Sequence, residues 1–538
     1  MKRFVLGLLL GVLSVLALGG CGKGKRDPGT IIIGIPKSDV IEDYNNNRFT
    51  EWLEAETGID IQFVLYEKDR EHYEAQLRHQ IERGEKLPDL FLNFYLEERT
   101  ISEFGHDGVF IDMKPYYDDR EGLAKPFWDG ITQFDETFER DVLRKLTDVD
   151  TGAMYCAARI EYALIDPMDY QVYINKQWLE NLQMDQPTTL EELYDTLVAF
   201  RDNDPNGNGI HDEIPLVARI SSDYGDAINW LTNFFIYCDD NKWFDADDDQ
   251  NLYLPHMREE YREALAFIRD LQTEGLFDER FYELNQAELK ALLTPKNGIE
   301  TVGIFSEHSS LAWISNSPQM ADYEALNLYG YAVKNSQAIT RKNYITRDCQ
   351  YPENAFKVLM TLYTDEGWKR MYYGEKGKDW DDADAGQVSY MGLPADIKDI
   401  NHIWNQFDLP EVTWLAVPAF AFFSEAETAQ FTQENTWLAK RYSEVRKCYE
   451  YYEAAAQRNN PKYIVQSLIY NSRERDLTQD IRTHVRDIIQ DFRKQCFLGE
   501  LDPMDDAVWQ AYLEELEQAG VNVWLKQAQR LYDEQQRK

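Results

Sequence analysis

The sequence predicts an α/β fold built on a parallel sheet that is covered by helices. Between residues 31 and 94, short apolar runs alternate with amphipathic stretches in the order strand, helix, strand, helix, strand. Strands joined by helices at this spacing lie parallel in one sheet. The chain has 538 residues, 43% of them hydrophobic, which allows two or more domains with a substantial core.

Glycines mark the ends of the two helices predicted beside the first sheet. Gly58 and Gly84 follow the two helical stretches and end them. Ligands of parallel sheets bind beyond the carboxyl ends of the strands, so Asn93 and Tyr95, which lie at such an end, are candidate ligand contacts. The predicted elements are strands at residues 31–35, 59–64 and 90–94 and helices at residues 43–56 and 69–83.

The following segment leads to an unusual loop. Strands are predicted at residues 152–160 and 170–174, and a helix begins at residue 176. A further helix starts after Pro187, where Thr188 with Glu191, or Thr189 with Glu192, can form a capping box. This helix runs directly into residues 202–213.

Residues 202–213 are rich in Asp, Asn, Gly and Pro, as loops are. Oxygen-bearing side chains recur at every second position, and Gly207 and Gly209 let the backbone curl between them. Calcium binds six to eight oxygens at roughly 2.3–2.6 Å in such a flexible cage. The sequence therefore predicts a calcium site. Its candidate ligands are Asp204, Asn206, Asn208, the backbone carbonyl of Ile210, Asp212 and Glu213.

Two registers fit this loop. Counted from Asp202, it resembles an EF-hand, with Gly207 sixth and Glu213 twelfth. Counted from Asp204, the ligands fall at steps of two. The second register is favoured because Gly209 lies where an EF-hand carries an apolar residue. An Asn-Gly turn that binds no ion is the remaining alternative.

The rest of the chain continues the α/β pattern and ends in helices. Residues 245–249 are predicted to be an acidic, solvated loop, and the helical stripes after residue 477 are assigned to the core. The other predicted elements are strands at residues 214–218, 302–305 and 329–333 and helices at residues 227–237, 258–275 and 354–363.

The amino end has the pattern of a secretory signal. Basic residues precede an apolar run, which is shorter than the roughly 20 residues of a transmembrane helix. The sequence Leu-Gly-Gly-Cys that ends at Cys21 resembles a bacterial lipoprotein box, which implies cleavage before Cys21 and a lipid on its sulfur. Residues 1–20 are then a signal peptide, and residues 21–30 are a tether to the membrane. An ordinary signal with a chance cysteine is the alternative.

Charge and cysteine usage exclude several classes of function. The formal net charge of −40 makes nucleic acid and anionic lipid poor partners. Five cysteines follow Cys21; they are odd in number, far apart and without a Cys-x-x-Cys pair. Neither a disulfide framework nor a zinc site is expected from this spacing.

The order of these segments resembles the sugar-binding class of extracellular solute-binding lipoproteins of bacterial ABC importers. The resemblance is carried by the segments at residues 54–59, 87–90, 173–179, 187–192 and 347–374, and by the helices around Trp509 and Tyr512. The loop at residues 202–213 resembles the calcium loop of the alginate-oligosaccharide-binding members. In these relatives the ion is structural and lies away from the ligand.

The resemblance implies a two-lobed periplasmic-binding-protein (Venus-flytrap) fold with extra C-terminal helices. The N-terminal lobe would comprise residues 31–158 and 328–376, and the C-terminal lobe residues 159–327 and 377–538. The implied partners are an oligosaccharide and an ABC permease, with the protein acting as a monomer. Sugars offer apolar faces to aromatic rings and hydroxyls to polar side chains. The candidate ligand contacts are Asn93, Tyr95, Trp230, Trp313 and Trp404.

Two other functions remain open at this point. A secreted glycan-degrading enzyme would need paired carboxylates, and an acidic chain offers many candidates. The sequence has no Gly-x-Ser-x-Gly, no His-Glu-x-x-His and no phosphate loop, so an enzyme is not expected. A surface protein that serves a sensor kinase would share the fold and the cleft.

Overall fold

The computed structural model describes most of the chain after residue 28. Trp313, Trp404, Cys21 and the predicted signal segment lie outside the described residues. The described residues are 29–38, 41, 43–133, 136–161, 168, 170–220, 227–240, 242–307, 322–333, 338–389, 394–400, 414, 436–465 and 468–536.

Strands and helices alternate through the first two thirds of the described chain, and helices dominate the end. The strands are β1 (Thr30–Pro36), β2 (Asp60–Tyr66), β3 (Leu90–Phe91), β4 (Ala157–Glu161), β5 (Gln171–Asn175), β6 (Ile214–Val217), β7 (Asp245–Ala246), β8 (Leu252–Tyr253), β9 (Val302–Glu307), β10 (Tyr323–Ala325), β11 (Ala338–Ile345), β12 (Trp380–Asp382) and β13 (Ile397–Asp399). The helices of the first half are α1 (Arg48–Thr57), α2 (Arg70–Glu82), α3 (Glu98–His106), α4 (Lys114–Tyr117), α5 (Lys125–Ile131), α6 (Glu136–Leu146), α7 (Lys176–Leu182), α8 (Leu190–Asp202) and α9 (Ala227–Thr232). The later helices are α10 (Glu259–Thr273), α11 (Gln286–Leu293), α12 (Pro352–Thr361), α13 (Asp365–Tyr373), α14 (Thr436–Asn459), α15 (Ser472–Phe497), α16 (Asp506–Gln518) and α17 (Val521–Gln536). Two 3₁₀ turns lie at Pro255–Met257 and Glu279–Tyr282.

Two separate sheets organise the molecule. The first has the order β2-β1-β3-β11-β4, with β1 parallel to β2 and β3, and β11 antiparallel to β3 and β4. The second has the order β10-β5-β9-β6, with β6 and β9 parallel. The chain passes from the first sheet to the second between β4 and β5, and it returns between β10 and β11. The predicted α/β class is confirmed, and the lobe limits stay a prediction.

Local capping explains where the first helices begin. The helix predicted at residues 43–56 begins only at Arg48, because the side chain of Asn47 accepts a hydrogen bond from the Phe49 N–H at 2.9 Å. The cap of α8 is Thr189, whose hydroxyl accepts from the Glu192 N–H at 3.1 Å. Of the two capping pairs that the sequence allowed, Thr189 supplies the cap of α8.

Two predictions about local structure are wrong. Residues 329–333 do not form a strand, and the strand that returns to the first sheet is β11. Residues 245–249 are not simply a solvated loop, because Asp245 is 1% exposed in the β7–β8 hairpin. Its carboxylate accepts from the Tyr253 hydroxyl at 2.9 Å, and burial raises the pKa of Asp245 to about 6.

The buried apolar side chains form two clusters. The larger one contains residues of both sheets, such as Ile33 and Ile304. The second cluster lies around the β7–β8 hairpin, α10 and the C-terminal helices, and Trp524 and Phe492 belong to it. In the part of the chain that the structure describes, no helix is both long enough and apolar enough to cross a membrane.

Helix α15 connects the second cluster to the first sheet's surroundings. In its first turn, the Ser472 hydroxyl donates to the Asp150 carboxylate at 2.6 Å. One turn later, Arg475 donates to the Ser102 hydroxyl at 2.9 Å and pairs with Glu98 at 3.1 Å. The later residues of the same helix pack into the second cluster.

Candidate functional site

The loop after α8 gathers the predicted calcium ligands. The Asp204 carboxylate accepts from the backbone N–H groups of Asn208, at 3.0 Å, and Gly209, at 2.8 Å. The side-chain amides of Asn206 and Asn208 donate to one oxygen of Asp212, at 3.2 and 2.9 Å. The loop thus folds its oxygen-bearing side chains back on one another. Gly207 and Gly209 have φ values of 70° and 75°, in the left-handed region that glycine adopts easily.

Glu213, the last residue of the loop, has a buried carboxylate group. Both of its carboxylate oxygens are inaccessible to solvent, and neither has a hydrogen-bond partner among the described residues. Burial, together with the negative charges of Asp212 and Asp204, raises the pKa of Glu213. A buried carboxylate without partners needs a compensating positive charge. The candidate ligand atoms of this loop are all oxygens, so the residues present fit a hard cation such as calcium.

The other residues of the loop separate the two registers. Asp202 turns away and accepts from the Arg201 guanidinium at 2.7 Å. The carbonyl of Ile210 accepts from the Asp212 N–H at 3.1 Å, while the Ile210 side chain is 60% exposed. These contacts favour the register that starts at Asp204.

The loop is fastened to two neighbouring elements. The Asn181 amide, at the end of α7, donates to the Pro205 carbonyl at 2.7 Å. The Asn206 amide donates to the Glu300 carbonyl at 3.2 Å, just before β9. These two hydrogen bonds hold the loop beside helix α7 and the start of β9, which belongs to the second sheet.

A second group of polar residues lies at the carboxyl end of β3. Asn93 adopts a φ of 63°, and its N–H donates to the Asn343 side chain at 3.0 Å. The Tyr95 N–H donates to the Tyr73 hydroxyl at 2.8 Å, which leaves the Tyr95 ring 39% exposed. The two candidate contacts are thus held by side chains of neighbouring elements.

Lys342 joins these two residues, and sequence reasoning missed it. It lies on β11 at an irregularity in the pairing with β4 and is 0% exposed. Its ammonium donates to Asn93 Oδ1 at 3.1 Å and to the Tyr95 hydroxyl at 3.0 Å. Among the described residues, no carboxylate pairs with it. Burial, and then the charge of Arg159, lower the pKa of Lys342 well below its ordinary value.

The second sheet presents a polar group at the corresponding edge. Gln171 begins β5 opposite Glu307, the last residue of the antiparallel strand β9. The side-chain oxygen Oε1 of Gln171 accepts from the Tyr173 hydroxyl at 2.7 Å, and its Nε2 is buried without a partner among the described residues.

The aromatic candidates have different positions. Trp230 is 0% exposed, and its indole N–H donates to the Leu328 carbonyl at 3.0 Å, so in this structure it belongs to the core. Trp313 and Trp404 lie outside the described residues.

Curated proteins match part of this chain in sequence. No family model matches it. Over 247 residues it is 28% identical to the fructooligosaccharide ABC transporter substrate-binding protein FusA of Streptococcus pneumoniae, which covers 45% of this chain and 43% of that protein. It is 27% identical over 181 residues to the lipoprotein LipO of Bacillus subtilis, covering 34% of this chain and 32% of that one. The matched segments therefore span less than half of these relatives.

Solved structures match almost the entire chain. FusA in complex with kestose superposes with a TM-score of 0.72 at 20% identity, covering 94% of this chain and 99% of that one. A human-milk-oligosaccharide (HMO) binding protein of Bifidobacterium longum infantis gives 0.73 at 17% identity, covering 94% and 98%. The alginate-binding protein AlgQ2, solved without calcium ion, gives 0.63 at 15% identity, covering 95% and 99%. The two-lobed solute-binding-protein fold is confirmed, and with it the resemblance of this chain to the sugar-binding solute-binding proteins of bacterial ABC transporters.

Proposed function

We propose that this chain is a lipid-anchored extracellular protein that captures an oligosaccharide between its two lobes and delivers it to an ABC permease. The observation that carries the proposal is the polar group formed by Asn93, Tyr95 and Lys342. It lies at the carboxyl end of a parallel strand, where this class of sheet receives its ligands. The relatives supply the ligand class, since FusA is named for fructooligosaccharides.

The chemistry of this strand end suits a sugar. The exposed face of Tyr95 offers an apolar surface for the C–H face of a sugar ring. The Asn93 amide and the Lys342 ammonium provide donors for hydroxyl oxygens, and Gln171 Nε2 provides one from the second sheet. Trp230 is not among the proposed contacts because its indole N–H already donates to the Leu328 carbonyl.

Calcium has a structural role in this proposal. Asp204, Asp212 and Glu213, together with the side-chain oxygens of Asn206 and Asn208 and the carbonyl of Ile210, would hold the ion. The ion would supply positive charge to a loop that carries three carboxylates, and it would stiffen the loop beside the second sheet. It takes no part in contacts to the sugar.

Ligand capture requires the two lobes to move. A sugar that contacts both lobes favours the closed arrangement, because only that arrangement forms both sets of contacts. We take the lobes to be residues 31–158 with 328–376 and residues 159–327 with 377–538. The protein acts as a monomer, is tethered through a lipid on Cys21, and presents its closed form to the permease.

A thermal-shift screen against an oligosaccharide panel, with calcium held constant, tests this function. We expect at least one neutral or acidic oligosaccharide to raise the melting temperature by several degrees. The same incubations are analysed by chromatography for shortened sugars. Released products would identify the chain as a glycan-degrading enzyme, and a flat panel with wild-type protein would contradict the binding function.

A further inference from the structure

A cluster of three potential metal ligands lies apart from the calcium loop and from the polar strand end. It consists of Cys238, Asp240 and His256. His256 Nε2 is 3.0 Å from Asp240 Oδ1 and 3.4 Å from Cys238 Sγ, and Cys238 Sγ is 3.7 Å from Asp240 Oδ1. The three atoms therefore form a compact triangle.

The fold holds each ligand from several sides. The Asn233 side chain brackets Cys238: it accepts from the Cys238 N–H at 3.1 Å and donates to the Cys238 carbonyl at 3.1 Å. His256 lies in the 3₁₀ turn Pro255–Met257, its ring packs against Tyr261, and its carbonyl accepts from the Tyr512 hydroxyl at 3.2 Å. The ligand positions are thus fixed before any ion arrives.

Arg493 orients the third ligand. Its guanidinium donates to Asp240 Oδ2 at 3.0 Å, which leaves Oδ1 directed at His256 and Cys238. A partner that binds the outer oxygen of a ligating carboxylate is common around metal ions, because it fixes the direction of the inner oxygen. Only the Asp240 side chain, 25% exposed, reaches solvent, while His256 and Cys238 are 1% and 3% exposed. Solvent access through Asp240 gives an ion a route in.

Two donors of this cluster compete for one acceptor oxygen. Both the thiol of Cys238 and the ring of His256 direct a donor at the same oxygen, Asp240 Oδ1. On the other side of the ring, His256 Nδ1 is buried and has no hydrogen-bond partner among the described residues. A cation in the triangle would take the place of both donated protons. The thiol proton would leave to solvent, and the single ring proton of His256 would move from Nε2 to Nδ1.

The ligand set points to zinc. In a tetrahedral site with bonds of about 2.0–2.3 Å, neighbouring ligand atoms are about 3.3–3.8 Å apart. The observed separations of 3.0–3.7 Å are close to that range. Sulfur, imidazole nitrogen and one carboxylate oxygen suit zinc, whereas calcium prefers oxygen alone.

We propose that Cys238, Asp240 and His256 form a zinc site, with a water molecule as the fourth ligand. The spacing of the cysteines in the sequence gave no reason to expect one, because two of the three ligands are not cysteines. The ion would fasten the segment around Cys238 to the turn that carries His256, on the surface of the second core cluster.

Cobalt and zinc binding to EDTA-treated, dialysed protein tests this proposal. Cobalt(II) reports on the site because a cobalt–thiolate bond gives a charge-transfer absorption band. We expect this band at one equivalent of cobalt, its loss on addition of zinc, and one bound zinc per chain by elemental analysis.

The decisive variants differ in one ligand each. Cys238→Ser should remove the thiolate band and weaken zinc binding about tenfold or more. Cys496→Ser is the matched control, since Cys496 is a buried cysteine of the same core cluster and should leave the band intact. Asp240→Asn provides a second test if Cys238→Ser does not fold. A wild-type protein with no band and no bound zinc, or a Cys238→Ser protein that keeps the band, would overturn the proposal in favour of a hydrogen-bonded network.

Discussion

The side-chain amide of Asn206 donates a 3.2 Å hydrogen bond to the backbone carbonyl of Glu300. This bond joins the oxygen-rich loop to the segment that leads into β9. The side chain of Glu300 has its own unusual environment: burial, and then the neighbouring charge of Asp322, raise its pKa to about 7. An ion bound by the loop would therefore act on the same short stretch of backbone as proton binding at Glu300.

Removal of calcium should destabilise the protein. At a free calcium concentration of 100 times Kd, binding adds about 2.7 kcal/mol to the free energy of unfolding. EDTA should therefore lower the melting temperature of the wild-type protein by a few degrees, and Glu213→Gln should abolish most of this dependence. Differential scanning calorimetry with calcium and with EDTA measures both.

Asp202→Asn is the matched control for that experiment. Asp202 lies two residues before Asp204 but pairs with Arg201, so its variant should keep the full calcium shift, whereas Asp204→Asn should lose it. Loss of the calcium shift in Asp202→Asn as well would establish the EF-hand register, in which Asp202 is at the first ligand position and Asp204 at the third. Equal melting temperatures with calcium and with EDTA in wild-type protein would mean that the loop is only a turn.

Glu300 should make stability fall as pH rises. A carboxyl group whose pKa is higher in the folded state than in the unfolded chain favours folding in its protonated form. Its contribution is present below about pH 4.5 and is lost as pH rises through about 7. Glu300→Gln should remove about 1–2 kcal/mol of the stability lost over this pH range, a value that allows for partial solvent screening.

Urea denaturation between about pH 5 and 8 measures the slope of stability against pH. The exposed Glu283, in Glu283→Gln, serves as the control and should leave the slope unchanged. A slope that is identical in the wild-type and Glu300→Gln proteins would show that the Glu300 carboxyl is ordinary.

Lys342 should oppose stability while supporting ligand binding. A buried ammonium whose partners are all neutral is costly, so Lys342→Met should raise the free energy of unfolding by about 1–3 kcal/mol. The same variant should bind the oligosaccharide about tenfold or more weakly, because the Lys342 ammonium no longer donates to Asn93 or to the sugar. Calorimetric titration with a sugar from the screen measures the affinity.

The control for this pair of effects is Lys86→Met, at an exposed position. It should change neither the stability nor the affinity by more than a small amount. A Lys342→Met protein that binds the sugar normally would place the site elsewhere, even if its stability rises as expected.

Substitution of Trp230 should mainly reduce stability, whereas substitution of Tyr95 should mainly reduce sugar affinity. Trp230→Phe removes a buried N–H donor to Leu328 and part of a packed ring, so it should cost about 1–3 kcal/mol of stability with little change in affinity. Tyr95→Ala removes a partly exposed ring and should reduce affinity about tenfold with a smaller loss of stability. The reverse pattern would make Trp230 the aromatic contact.

The first half of the fold follows from local signals. Gly58, with a φ of 69°, ends α1 where the sequence indicated, and short apolar runs located β1 and β2. The oxygen-rich loop could also be located, because its candidate ligands are neighbours in sequence. Short-range chemistry was sufficient in each case.

The polar strand end could not be predicted as a group. β11 reads Ala-Ile-Thr-Arg-Lys-Asn-Tyr-Ile, and it buries Lys342 and Asn343 next to each other, which breaks the alternation expected of a strand. Residues 342–346 are all buried because β11 lies inside the sheet, between β3 and β4, and an irregularity in the pairing with β4 falls between Arg341 and Asn343. Such a feature depends on β4 and β3, which are distant in sequence, so periodicity gave no sign of it.

Helix α15 has a mechanical consequence for the protein. Its 26 residues form a rod about 39 Å long. Ser472 and Arg475, near one end, are bonded to the side chains of Asp150 and Ser102, while Arg493, near the other end, is bonded to Asp240. Because the rod is rigid, a tilt of a few degrees at the first end moves the second by an ångström or more. Helix α15 would therefore transmit a displacement of its first end, beside the first sheet, to the cluster of Cys238, Asp240 and His256.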